Sequence, residues 1–394
     1  MMKAAVLHRP QTALVIEDVE LAPLRAGDVL VRVLAAGVCH SDLHYMNGDL
    51  SAKLPAVLGH EGAGVVEAVG PGVARVQPGD RVITTWRPRC GDCEFCVSGR
   101  PALCELGRVQ ASSGGLIDGI TRLRMRGEEL YHLMGVSCFA EQCVVSERSL
   151  IRVDPEVAPE IAAITGCAVV TGVGAAFNHM KDSTGEAVVV IGAGGVGLSA
   201  IMGLNLIGAH PVIAVDTVDA RLERARTVGA THVINPATVT DVGAEVARIN
   251  GRAAKWVLDA VGAAGTLSQA VEMVGVGGTV VAVGLGKVGA TFDVAINPLV
   301  QQEKRIIGSL YGSSNMPIEI PEILRLHKAG KLPLERLIGS RYELPQINEA
   351  YREMTQGAIG RAVITIDASA TNHDLLSAPR LADISAAPAR TSST

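Results

Sequence analysis

Between Ala187 and Val215 the chain carries no Lys, Arg, Asp or Glu. A charge-free run of that length raises the question of a membrane span. Six glycines fall between Gly192 and Gly208, however, and Pro211 and Asp216 close the segment. An apolar strand (Ala187-Val188-Val189-Val190-Ile191), a glycine turn, a helical stretch (198–208) and a second apolar strand (Val212–Val215) fit the pattern better, with both strands buried on two faces of a parallel sheet. Strand-like runs at 188–191, 212–215, 232–234, 256–259 and 279–283 alternate with amphipathic stretches. That rhythm predicts βαβ units and a doubly wound parallel sheet from about 186 to 310.

The turn Gly192-Ala193-Gly194-Gly195-Val196-Gly197 fits G-x-G-x-x-G. It follows a strand, opens a helix, and is answered by Asp216 at the end of the next strand, which is the context of a dinucleotide site. Gly192 permits the turn and Gly194 lets backbone approach a pyrophosphate. The helix opening at Gly195, Val196 and Gly197 offers amide donors and a positive dipole end. Asp216 should accept hydrogen bonds from the adenosine ribose and repel a 2′-phosphate, favouring NAD over NADP. Arg221, five residues on, is placed to reach the same ribose. The competing reading is a glycine turn that serves another nucleotide.

The rest of the chain is organised around this unit. Residues 1–85 alternate short β-like runs, such as 29–34 and 64–69, with Gly and Pro punctuation, predicting an antiparallel β-rich domain. Residues 86–143 read as a surface lobe. Asp154-Pro155-Glu156 predicts a helix start. Residues 368–394, rich in Ala, Ser, Thr and Pro, read as a disordered tail. With 48% hydrophobic and 19% charged residues the chain is not globally disordered. A net charge of −5 without a basic block argues against a nucleic-acid footprint. The N-terminus has too short an apolar run for a signal peptide, so a soluble cytoplasmic protein with reduced thiols is expected.

Four of the eight cysteines form Cys90-x-x-Cys93-x-x-Cys96-x7-Cys104. Four thiols on short loops suit one tetrahedral zinc with no open position, hence a structural site; an iron–sulfur cluster is the other reading. Cys39-His40-Ser41-Asp42, Gly59-His60-Glu61-Gly62 and Gly166-Cys167 are scattered. Spacing does not unite them, and lone buried Cys and His are ordinarily core residues.

Taken in order, these motifs, with Thr171-Gly172 and the glycine turn, resemble the zinc-dependent medium-chain alcohol dehydrogenases of the liver-type and class III branches over about residues 3–367. The resemblance implies an α/β architecture: a GroES-like β-rich catalytic domain (1–168 and 311–367, zinc lobe about 86–143) with an inserted Rossmann domain (169–310). It implies two zinc ions per subunit, a catalytic one on Cys39, His60 and Cys167 and a structural one on the cysteine quartet, with NAD as cofactor. Asp42 would orient His60, and Glu61 would stand near the metal. Ser41 and His44 would relay the proton. His40 would face the pyrophosphate, Thr171 would pack near the nicotinamide, Val283 would belong to the cofactor site, and Trp86 would wall the substrate pocket.

Ile364 stands where many members carry a pyrophosphate-binding Arg, which leaves Arg361 or a looser hold on the cofactor. Arg108 matches an anion-binding Arg of class III, but Leu50 and Ala52 replace that branch's acids and His44 its Tyr. The implied activity is reversible hydride transfer between an alcohol or aldehyde and NAD. The alternative is a formaldehyde dehydrogenase acting on a glutathione or mycothiol adduct. The long 104–143 segment implies a homodimer joined through strands near 306–311, with no nucleic-acid or membrane partner. A zinc module of a nucleic-acid-binding protein is the rival from another class, opposed by the net charge.

Overall fold

The computed structural model describes residues 1–366; the tail expected from 368 onward lies outside the described residues. Val188–Ile191 lies inside a six-stranded parallel sheet. The order runs from His232–Ile234 through Val212–Val215, Val188–Ile191, Ala254–Asp259 and Val274–Ala282 to Arg305–Gly308. Val188 and Val190 pack into one buried cluster and Val189 and Ile191 into another. Side chains alternate across a strand, so both faces are covered and the strand reads as continuous apolar sequence. Helix Gly195–Leu206 packs on one face, and helix Val170–His179 packs against it. They approach closely because a Cβ on Gly172 would meet the Val196 carbonyl at 2.2 Å. The strand order reverses beside Val188–Ile191, and ligands of open α/β sheets bind at that switch point, beyond the carboxyl ends of the strands.

The β-rich part contains a closed barrel and a seven-stranded sheet. In the latter, Asp28–Gly37 pairs with Gly62–Val69, Gln142–Ser146 and Arg361–Thr365. The chain thus returns, after the parallel sheet, to the sheet it began. Leu123–Met125 and Glu128–His132, expected within a surface lobe, are barrel strands. Polar pairing rather than periodicity fixes them: buried Arg122 binds Asp28 at 2.6 Å and Asp118 at 2.8 Å. The helix expected at Asp154 starts at Pro159 instead, because the Asp154 carboxylate caps a turn by accepting the Glu156 amide at 3.0 Å. Among the described residues, Pro159–His179 is a helical run long and apolar enough to cross a membrane. It is 89% buried and forms part of the core.

His132 is fully buried and accepts the Arg122 amide at Nε2, 3.2 Å away. Burial and the Arg122 cation push it down to about 3. The unfolded imidazole takes up a proton near pH 6.5, so this site's stability is complete above that pH. It is lost, at up to about 1.4 kcal/mol per unit, as pH falls toward 3. His132→Gln is therefore expected to flatten the fall of Tm over this window. An unchanged slope would show that the buried imidazole plays no part.

Candidate active site

Gly192 ends its strand with φ 92, a left-handed conformation that glycine adopts without penalty. A Cβ on Gly197 would collide with the Gly192 carbonyl at 1.7 Å, whereas a Cβ on Gly194 would meet nothing within 4 Å. The turn is thus packed tightly underneath and bare on top. Gly194 is also the helix N-cap and provides no capping side chain, so the first amides of Gly195–Leu206 are left for a ligand. Asp216 closes the turn: its carboxylate accepts the amides of Ala193 at 2.8 Å and Val218 at 2.9 Å. This bare, donor-rich cradle fits the pyrophosphate of a dinucleotide.

The cradle opens into a cavity of about 1060 Å³. The cavity brings together Cys39, His40, Ser41, His44, Trp86, Cys167, Thr171, Asp216, Arg221 and Val283. At its floor the ligand atoms of Cys39, His60, Glu61 and Cys167 lie within 4.8 Å of one another, and all four residues are buried. Three distant stretches of chain converge here: the start of helix His40–Asn47, the turn before Gly62–Val69, and the wide helical turn Thr165–Val169. The donors polarise one another, and the hydrogen bond between the two thiols pushes Cys167 well above the usual thiol range while lowering its partner. Cys39 is held well below the usual thiol range, first by a hydrogen bond from Cys167, then by nearby Arg361 and His60. Burial would depress His60, but Asp42 and Cys39 outweigh it and hold the imidazole up. Asp42, itself buried, faces His60 Nδ1 at 3.1 Å and accepts the Gly59 amide at 3.0 Å. It therefore presents Nε2 to the cluster, as a metal-binding imidazole requires. Two thiols and an oriented imidazole fit zinc.

The cysteine quartet is equally compact. Tetrahedral zinc at ~2.3 Å sets sulfurs about 3.8 Å apart. Cys90 and Cys96 stand 3.7 Å apart, Cys93 and Cys104 4.0 Å, far beyond a disulfide. Amides of Glu105 and Cys96 hold Cys93 down to about 6. The quartet fits a closed zinc site.

Some expectations need correction. Arg108 is exposed on helix Glu105–Ser113, whose buried face carries Gly107 and Gln110, and it does not line the cavity; Arg100 does. Ile364 is fully buried in Arg361–Thr365, paired with Ala36 and Tyr342. Arg361, three residues earlier, points into the cleft. It grips Glu61 with two hydrogen bonds and lies 3.3 Å from where a Gly195 Cβ would stand. Burial pushes Glu61 up to about 7 despite that cation. Sequence reading also missed Tyr311. Held at φ 56, it stacks on Trp86 at 4.5 Å, donates its hydroxyl to the Gly166 carbonyl, and builds the cavity wall with Leu103, Leu285 and Leu310. A left-handed tyrosine leaves no sequence signal.

A dinucleotide-cradling parallel sheet set against a β-rich body with two zinc-suited clusters defines a zinc-binding dehydrogenase. Comparison with known proteins agrees. The family description "Alcohol dehydrogenase GroES-like domain" matches residues 25–155, and "Zinc-binding dehydrogenase" matches 195–329. An NDMA-dependent alcohol dehydrogenase of Amycolatopsis methanolica is 39% identical over 366 residues, 92% of this chain and 98% of the relative. An S-(hydroxymethyl)glutathione dehydrogenase of Photobacterium damsela subsp. piscicida is 36% identical over 92% of this chain and 99% of the relative. The benzyl alcohol dehydrogenase structure from Acinetobacter calcoaceticus superposes with a TM-score of 0.87 at 34% identity, covering 93% and 99% of the two chains. The chain belongs to the zinc-dependent medium-chain alcohol dehydrogenase family, oxidoreductases that work with zinc and NAD.

Proposed function

We propose that this chain transfers hydride reversibly between an alcohol or aldehyde and NAD, with Cys39, His60 and Cys167 holding the catalytic zinc and the Cys90–Cys104 quartet the structural one. The observation that carries this is the convergence of those three donors within 4.8 Å on the floor of the cavity that contains the phosphate cradle. Zinc bound there supplies Lewis acidity toward the alcohol or carbonyl oxygen. The chain's own residues do the rest. Asp42 orients His60, and Arg361 ties Glu61 to the cradle while offering its charge to the pyrophosphate together with His40. Thr171 and Val283 flank the nicotinamide end, and Asp216 with Arg221 serves the ribose. Trp86, Tyr311 and the three leucines exclude water and favour an apolar substituent. Ser41, whose hydroxyl lies 3.6 Å from Cys39 Sγ, and His44 move the proton between the cavity and solvent.

The domain division at about 168 and 311 is supported by the return of Arg361–Thr365 to the seven-stranded sheet. Eight free cysteines support a reducing, cytoplasmic setting. A homodimer is supported by the edge strand Arg305–Gly308 and by the exposed Val276, Ile296 and Val300.

A panel of alcohols with NAD or NADP, with and without glutathione or mycothiol, tests the reading. Plain alcohols are expected to turn over with NAD alone, since Arg108 does not line the cavity; an absolute thiol requirement would transfer the assignment to the adduct reaction. Asp216→Ala is expected to raise the KM for NAD about ten- to hundredfold, the equivalent of a lost hydrogen bond to a charged group, about 1.5–3 kcal/mol. An unchanged KM would remove Asp216 from the ribose site.

A further inference from the structure

A proton acceptor in a cleft is useful only if the right ring nitrogen faces the donor. His44 lines the cavity from helix His40–Asn47 and keeps a side-chain exposure of 26%. The helix ends at Gly48 with φ 80, and the reversal returns the Asp49 amide to the His44 carbonyl at 2.8 Å. The same turn brings Asp49 Oδ2 to 3.2 Å from His44 Nδ1. The other carboxylate oxygen is 3.7 Å from Lys287 Nζ, and the Asp49 carbonyl accepts the Val288 amide at 3.1 Å. Lys287 and Val288 belong to segment 284–290, which follows Val274–Ala282 and contributes Gly284 and Leu285 to the cavity. One side chain therefore touches the relay histidine on one side of the cleft and the nucleotide-side segment on the other.

We propose that Asp49 is a positioning residue of the proton relay. The assignment rests on the His44 reading above. Asp49 accepts the Nδ1–H of His44, which leaves Nε2 as the acceptor toward the cavity. During alcohol oxidation Nε2 gains the released proton, Asp49 stays ionised and stabilises the imidazolium, and the proton passes to the water that reaches His44. A carboxylate in this place selects tautomer and orientation without itself reacting. Its contact with Lys287 and Val288 keeps the relay in register with the nucleotide side of the cleft. In Asp49→Asn the amide can donate to Nδ1 and so favours the wrong tautomer.

Three variants of the full-length, zinc-loaded enzyme test this: Asp49→Asn, His44→Gln and the double. Each is assayed for alcohol oxidation at neutral pH with and without added imidazole as external base. Asp49→Asn is expected to lower kcat/KM about tenfold, less than full loss of a general base. His44→Gln is expected to lower it at least as much, and added imidazole to restore both. The double variant should be no slower than His44→Gln alone, because residues that act as one unit are not additive. A purely structural loss would not respond to imidazole. Multiplying effects in the double variant, or a slow His44→Gln beside an unaffected Asp49→Asn, would overturn the Asp49 assignment and leave the relay standing. An unaffected His44→Gln would overturn the relay and the Asp49 assignment with it.

Discussion

Cys39→Ala is expected to lower alcohol turnover about 10³-fold or more, equal to ~4 kcal/mol of barrier, with NAD affinity unchanged. The thiol it removes is the one whose ionised form is favoured by the hydrogen bond from Cys167 and by nearby Arg361. Without it, Cys167 and His60 keep two donors where three define an open catalytic site. NAD affinity survives because the glycine turn, Asp216 and the helix N-terminus are carried by the parallel sheet and not by the Cys39 loop. His60→Ala should behave alike. Kinetics beside NAD titration of the same preparation give the check, and retained turnover in either variant would remove that residue from the mechanism.

Cys104→Ser is expected to act on stability first. Cys104 is fully buried and stands immediately before helix Glu105–Ser113. A structural zinc contributes about 10–16 kcal/mol in isolated zinc fingers, so loss of even a fraction should cost this lobe roughly 3 kcal/mol or more. The effect should reach the cavity, since the adjoining turn Pro101–Leu103 packs against Leu310–Ser313 and presents Ala102 and Leu103 to the cleft. A lower Tm and a raised KM for alcohol are expected together. A normal Tm with an intact KM would mean that the quartet does not hold the lobe.

Much of this architecture was legible in the chain because it rests on local chemistry. The glycine turn announces itself since Gly192 needs a left-handed φ and Gly197 has no room for a side chain, and both demands are met within six residues. The cysteine quartet is likewise a short-range pattern. Uniting Cys39, His60 and Cys167 required family resemblance, because their meeting depends on how the β-rich sheet and the helical turn Thr165–Val169 come together. What could not be read depends on register or on pairing across the fold. Arg361 rather than Ile364 faces the cleft because alternate residues of that strand point to opposite sides. Arg108 turns outward because Gly107 and Gln110 take the buried face. Asp49 meets His44 only through the reversal at Gly48, and Tyr311 reaches Trp86 only by adopting a conformation that tyrosine rarely takes.

The central claim is that Cys39, His60 and Cys167 grip one ion beneath the nucleotide cradle. Elemental analysis of the purified protein beside Cys39→Ala tests it most directly. Two zinc ions per chain are expected in the parent and one in the variant, with the quartet's ion retained. One or none in the parent, or two still held by the variant, would contradict it.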